Sequence, residues 1–310
     1  MYCRRVRVAV RASPRGEFET CANNKTKATK RGGTIQVTIR RMLFAAACAA
    51  IAASSVAVAQ DSATEKAIEK YRQMLKEDPW SNPGLLDADR GEALWTTPRG
   101  PKNTSLEQCD LGKGAGKVDG AFAELPRYFA DADKVMDLEA RLVWCMAKLQ
   151  GFEHAQIVKR PYSKANQTGS ELEALATYVA NKSNGRKFAP QLGHPKEREA
   201  LAVGEALFFR RQGPMDFACA TCHGEDGQRI RLQDLPNLSR IEGAQKAYTT
   251  WPAYRVSQGE LRSFQWRLND CFRQQRFPEL IYGSDASIAL TMFLARNANG
   301  AAFDAPAIKR

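Results

Sequence analysis

The chain has 310 residues, with 46 Lys/Arg against 34 Asp/Glu, a formal charge of +12 and eight cysteines. That length suits about two ordinary domains. The charge would suit a nucleic-acid partner, but residues 1–59 hold 11 of the basic and 2 of the acidic residues; the remainder carries only about +3, which excludes a broad polyanion-binding surface.

The first segment in chain order is a leader. Arg40-Arg41 precedes an apolar, alanine-rich run over residues 42–51, and Ala57-Val58-Ala59 comes next as a small-residue cleavage site. This predicts a signal peptide over 1–59, cut after Ala59, with 1–36 reading as a mis-called start. The run is too short and too rich in alanine to span a bilayer, so the expectation is an exported periplasmic protein with no membrane span in its mature form. Cys3, Cys21 and Cys48 leave with the leader. Cys109, Cys145, Cys219, Cys222 and Cys271 remain, an odd number for an oxidising compartment.

An internal repeat organises the rest of the chain. Gly91-Glu92-Ala93-Leu94-Trp95 matches Gly204-Glu205-Ala206-Leu207-Phe208, and a cysteine stands 18 residues beyond each leading glycine, Cys109 and Cys222. Leu125-Pro126 echoes Leu235-Pro236. The stretch from Arg141 to Cys145 echoes that from Arg267 to Cys271, and Gly169-Ser170 echoes Gly283-Ser284. The apolar positions Leu172, Leu175, Ala176 and Val179 recur at helical spacing, as do Ile288, Thr291, Met292 and Ala295. Ser170 and Ser284 are predicted N-caps, and Gly185 and Gly300 predicted helix ends. The expected fold is all-α, two tandem cytochrome c-like domains over 60–190 and 191–310.

The second copy contains Cys219-Ala220-Thr221-Cys222-His223. C-x-x-C-H in an exported chain is a covalent haem c site: two thiols for thioether bonds and an imidazole for the iron. In the first copy Leu106 and Asp110 stand where Cys219 and His223 would, so that copy is expected to lack haem. Its Cys109 and Cys145 align with a haem anchor and a distal-ligand position and are predicted to form a disulfide, which chain entropy values at about 4 kcal/mol.

For the distal iron position the sequence offers Cys271 and Met292. His154 falls in the haem-free copy and His194 between the copies. Cys271 is favoured because it is unpaired and aligns with Cys145. A thiolate ligand lowers the reduction potential and points to chemistry at the ligand itself. Arg267 lies one helical turn before Cys271, placed to stabilise a thiolate and to hold an anionic substrate. Arg273 and Arg276 read as a solvated face. The alternative is a plain electron-transfer cytochrome c with Met292 on the iron and no bond-making role.

The tandem copies, Cys219 to His223, Arg267-x-x-x-Cys271-Phe272-Arg273, Arg276-Phe277-Pro278-Glu279 and Tyr282-Gly283-Ser284 together resemble the SoxA family over residues 65–305, in its single-haem branch. The resemblance implies an L-cysteine S-thiosulfotransferase that conjugates thiosulfate oxidatively to a cysteine of the carrier SoxYZ, in a heterodimer with the cytochrome SoxX. It assigns Cys271 as the distal ligand and site of chemistry, Arg267 as the substrate-binding residue and His223 as the proximal ligand.

Overall fold

The computed structural model describes residues 81–309 apart from 165–168 and 231–232, with a few positions between 66 and 78. The predicted leader over 1–59 lies outside the described residues. Besides the helix Pro195–Phe209, which His194 caps, five helices begin at a side chain that accepts an otherwise orphaned N–H of the first turn. These are α1 (Pro83–Thr96) at Asn82, α2 (Leu138–Cys145) at Asp137, α4 (Glu171–Asn181) at Ser170, α8 (Phe264–Gln274) at Ser263 and α9 (Asp285–Asn297) at Ser284. The short α3 (His154–Ile157) lies between α2 and α4. The second copy adds α5 (Pro195–Phe209), α6 (Cys219–His223) and α7 (Ile241–Tyr248). Gly185 and Gly300 both take positive φ just beyond α4 and α9.

The expectation of an all-α protein does not hold. Strands β1 (Arg127–Phe129) and β2 (Lys134–Met136) form an antiparallel ribbon in the first copy. In the second, β3 (Arg229–Ile230) pairs with β4 (Gln233–Asp234). There β5 (Ala253–Arg255) also sits between antiparallel β6 (Glu260–Arg262) and parallel β7 (Ala307–Lys309). Each strand is only two or three residues long, too short for hydrophobic alternation to register. The β5–β7 pairing joins segments about fifty residues apart, so no local pattern announces it.

The repeat is visible as a repeated helix contact. In the first copy α1 lies against α4 so closely that a Cβ on Gly91 would meet the carbonyl oxygen of Ala174 and the Cβ of Tyr178. In the second, α5 lies against α9, and a Cβ on Gly204 would meet the carbonyl oxygen of Ala289 and the Cβ of Phe293. Trp95 and Phe208, four residues beyond each glycine, are both buried in the core. Glycine is required at each crossing because backbone, which cannot move aside, occupies the space a side chain would need.

Between the copies lies a buried polar seam. Glu173 accepts the Ser163 and Ser263 N–H groups at 2.7 and 3.1 Å. Glu139 accepts the Gln265 N–H at 3.3 Å and the Tyr282 hydroxyl at 3.1 Å. Asp137 accepts the Gln265 side-chain amide, while Arg262 donates to the Ser163 carbonyl and lies over the Trp266 ring. Taking carboxylates out of water disfavours their charged form. Burial raises Asp137, raises Glu139 well above the usual range with the Asp137 charge adding to it, and pushes Glu173 up to about 7 against its hydrogen bonds and Arg262.

These contacts set two expectations. Gly204→Ala lowers folding stability by about 3 kcal/mol, read from denaturant unfolding, because the two helices must separate. Glu173 holds its proton more tightly folded than unfolded. Its contribution is therefore complete below pH 4.5 and is lost as pH rises through about 7. The thermal midpoint falls across that window, by the equivalent of roughly 3 kcal/mol, and Glu173→Gln flattens the fall.

Candidate functional site

Helix α6 is a single turn that begins at Cys219 and ends at His223. The Ala218 N–H donates to the Thr221 hydroxyl at 2.9 Å, and the Gly224 N–H closes the turn on the Ala220 carbonyl at 2.8 Å. His223 Nδ1 lies 2.9 Å from the carbonyl oxygen of Pro236. Only a protonated Nδ1 can donate there, which leaves Nε2 with its lone pair for a metal. Burial lowers the basicity of His223 against that hydrogen bond, and the charge of Arg267 lowers it further, which favours the neutral ring.

Cys271 lies in the third turn of α8, with Phe272 and Leu268 buried on either side of it in sequence. It approaches the haem-attachment turn closely enough for its charge to act on Cys219, whose thiol is pushed up to about 12, chiefly by burial and then by Cys271. Burial also raises the Cys271 thiol. Arg267 opposes that rise most strongly, Asp270 and Cys222 add to it, and Arg255 opposes it again. Arg267 in turn is held by the Asp270 carboxylate at 3.2 Å, which also accepts from Arg273 at 2.7 Å and Gln274 at 2.7 Å. Cys219, Cys222, His223, Arg267 and Cys271 thus share one site.

The two copies use this position differently. In the first, Leu106, Cys109 and Cys145 are sealed at 0, 1 and 0% exposure, and Cys109 is joined to Cys145 by a disulfide. In the second, Cys219, Cys222 and Cys271 are all partly accessible, with no disulfide between them. Asp110, at the place of His223, turns its carboxylate onto the Gly112 and Gly114 N–H groups at 2.6 and 2.8 Å. Arg141, at the place of Arg267, is fully buried, doubly bonded to Asp131 and sandwiched by the Phe129 and Trp144 rings. Two unbridged thiols at thioether spacing, followed by an imidazole whose Nε2 is left free, fit a covalent haem c in the second copy. The first copy's filled space does not fit one.

Other sequence candidates lie elsewhere. His154 is exposed at the start of α3, and His194 caps α5 and stacks on Tyr128. Met292 is fully buried in α9, in the turn that packs on α5. Arg273 and Arg276 are exposed. Sequence reasoning missed Asp270 and Arg255. Asp270 was detectable, three residues from both Arg267 and Arg273 on one helix face. Arg255 carries no local signal, because it reaches the site from a three-residue strand.

The family model for the SoxA/TsdA cytochrome c domain matches residues 90–188 and 203–303, once per copy. The chain is 50% identical over 274 residues to the L-cysteine S-thiosulfotransferase subunit SoxA of Hydrogenophilus thermoluteolus, covering 88% of this chain and 98% of that protein. It is 34% identical to the subunit of the same name from Hydrogenobacter thermophilus, over 83% of this chain and 93% of that one. Among solved structures, SoxXA from P. pantotrophus superposes with a TM-score of 0.63 at 22% identity, over 78% of this chain and 84% of that one, a likeness of fold.

Proposed function

The chain belongs to the SoxA/TsdA cytochrome c domain family, and from that premise we propose that it is the catalytic cytochrome subunit of an L-cysteine S-thiosulfotransferase. The reaction joins the outer sulfur of thiosulfate to a cysteine thiol of a carrier protein. The thiol proton and two electrons leave, and the product is a cysteine S-thiosulfonate. The carrier is of the SoxYZ type, the partner is a SoxX-type cytochrome, and the compartment is the periplasm. The observation that carries this reading is the third sulfur: Cys271, beside Arg267 and facing the haem-attachment turn.

Cys219 and Cys222 would attach a haem c, with His223 Nε2 and the Cys271 sulfur as ligand atoms, and the bound group would supply a one-electron acceptor at the site. The chain's own residues do the rest. His223 keeps its proton on Nδ1, against the Pro236 carbonyl, so the ring stays oriented. Arg267 offers a guanidinium fork to the sulfonate oxygens. Asp270 holds that fork in place from its own helix turn. The sulfonate end is thereby fixed while the outer sulfur points at Cys271, which trades the entropy of encounter for a prepaid geometry. Cys271 is only partly exposed, which strengthens each charge interaction around it relative to bulk water. The electron-carrier alternative with Met292 has less support. The relatives are named as transferase subunits, and Met292 is fully buried in α9.

Low-temperature electron paramagnetic resonance of the ferric mature protein tests the assignment. A low-spin thiolate-type spectrum is expected, absent in Cys271→Ala, together with one haem per chain by pyridine haemochrome. Thiosulfate conjugation in Cys271→Ala falls by at least about a hundredfold, the scale expected for losing a group that takes part in bond making. A histidine–methionine spectrum unchanged by the substitution removes Cys271 from the iron.

A further inference from the structure

The imidazole of His223 is aimed by a peptide carbonyl, and that carbonyl is itself held in place. His223 Nδ1 lies 2.9 Å from the Pro236 oxygen, and the Leu238 N–H donates back to the His223 carbonyl at 2.8 Å. Between Pro236 and Leu238 stands Asn237, 5% exposed. Its Nδ2 donates at 3.0 Å to Asp226, which lies just past His223 in the chain. Its Oδ1 accepts from the Ser239 N–H at 3.2 Å and from the Ser239 hydroxyl at 2.6 Å. That hydroxyl also lies 3.3 Å from the Gly224 carbonyl oxygen. One buried side chain thus ties the segment leaving the haem-attachment turn to the segment that carries Pro236. The backbone of Asn237 is pinned from the other side as well. A Cβ on Gly243 of α7 would collide with the Asn237 carbonyl oxygen, so helix and loop meet backbone to backbone. Asn297, the last residue of α9, donates to the Leu238 carbonyl at 3.0 Å, which refers the loop to the helix crossed at Gly204.

We propose that Asn237 is a positioning residue for the proximal imidazole: by locking the Pro236 carbonyl against the haem-attachment turn, it fixes the Nδ1–H hydrogen bond and, through it, how strongly Nε2 donates to the iron. The inference rests on the haem c reading and adds to it the residue that sets the donor strength of His223. A carbonyl that accepts from Nδ1–H leaves more electron density on the ring and makes Nε2 a better ligand, which favours the ferric state. The effect depends on distance and angle, because a hydrogen bond weakens steeply as it lengthens or bends. Pro236 lies in a loop, with no helix or strand ladder of its own to hold that geometry. Asn237 supplies the missing constraint, since it crosses from one side of His223 to the other. Asn184 in the first copy makes a comparable pair of bonds to Ala305, at 2.7 and 2.8 Å, with no ligating residue between the segments it joins. It is the structural counterpart against which the role of Asn237 is measured.

The test uses the haem-loaded protein in complex with its cytochrome partner, with the reduction potential followed through the low-spin ferric signal of this chain's own haem. Asn237→Ala is expected to raise that potential, with one haem still attached. Exchange of the His223 Nδ1 proton, read from its paramagnetically shifted resonance, becomes about tenfold faster, the scale of one lost hydrogen bond. Asn237→Asp combined with Asp226→Asn conserves charge and reverses the donor and acceptor, and it is expected to return the potential to the wild-type value. An unchanged potential in haem-loaded Asn237→Ala overturns the proposal, whatever the loss of stability, and leaves Asn237 a plain loop tie. So does a swapped pair that stays at the Asn237→Ala potential, or an equal shift in Asn184→Ala. If Asn237→Ala does not fold, its partner supplies the test, because the Asp226 side chain is 69% exposed. Asp226→Ala and Asp226→Asn remove the same charge, but only the second keeps an acceptor for Asn237. The potential of Asp226→Ala is expected to lie above that of Asp226→Asn, and equal potentials overturn the proposal. A wild-type protein that carries no covalent haem by pyridine haemochrome overturns the haem reading itself, an outcome recognisable before any variant is made.

Discussion

Each copy is framed by two helices that touch through a glycine. Gly91 on Ala174 and Gly204 on Ala289 bring backbone against backbone, and the loops that carry the functional residues hang from these two crossings. Core side chains could be exchanged for others of similar volume at modest cost. The crossings could not, because a Cβ would enter a carbonyl group of the facing helix. The same contact therefore recurs in both copies although their chemistry has diverged.

That divergence is a matter of what fills one space. In the second copy the two thiols of α6 and the sulfur of α8 stay unbridged and only partly buried. In the first copy Leu106 and the Cys109–Cys145 disulfide fill the equivalent position. Arg141 and Arg267 divide in the same way. The first is buried between two rings and bonded to Asp131, its charge spent on holding a loop. The second stays partly exposed beside Cys271, held by a carboxylate from its own helix.

The seam between the copies carries an electrostatic cost. Asp137, Glu139 and Glu173 are all buried, and backbone and side-chain donors from both copies compensate only in part, as their raised proton affinities show. Ser263 and Gln265, at the start of α8, donate into this seam. The helix that presents Arg267 and Cys271 is thus anchored at its N-terminal end to the first copy. Docking the two copies and positioning Cys271 are mechanically one arrangement.

Much of the site was legible in the sequence because its chemistry is local. C-x-x-C-H lies within one helical turn, Arg267 and Cys271 are one turn apart, and Ser170 and Ser284 cap helices through their own first turns. The repeat added longer-range information, since aligning Cys109 with Cys222 and Cys145 with Cys271 compared two solutions of one geometry. Glu139 and Glu173 carry no sign of burial in the sequence, because hydropathy cannot see a face that the other copy will cover. The strands escaped for a related reason: β5 is completed by β7 from the chain's far end, and short segments carry no period of their own. Residue types and local spacing determined which chemistry the chain can hold; only tertiary packing decided which charges were buried, which were paired and which was left facing the sulfur, because those depend on neighbours distant in the chain.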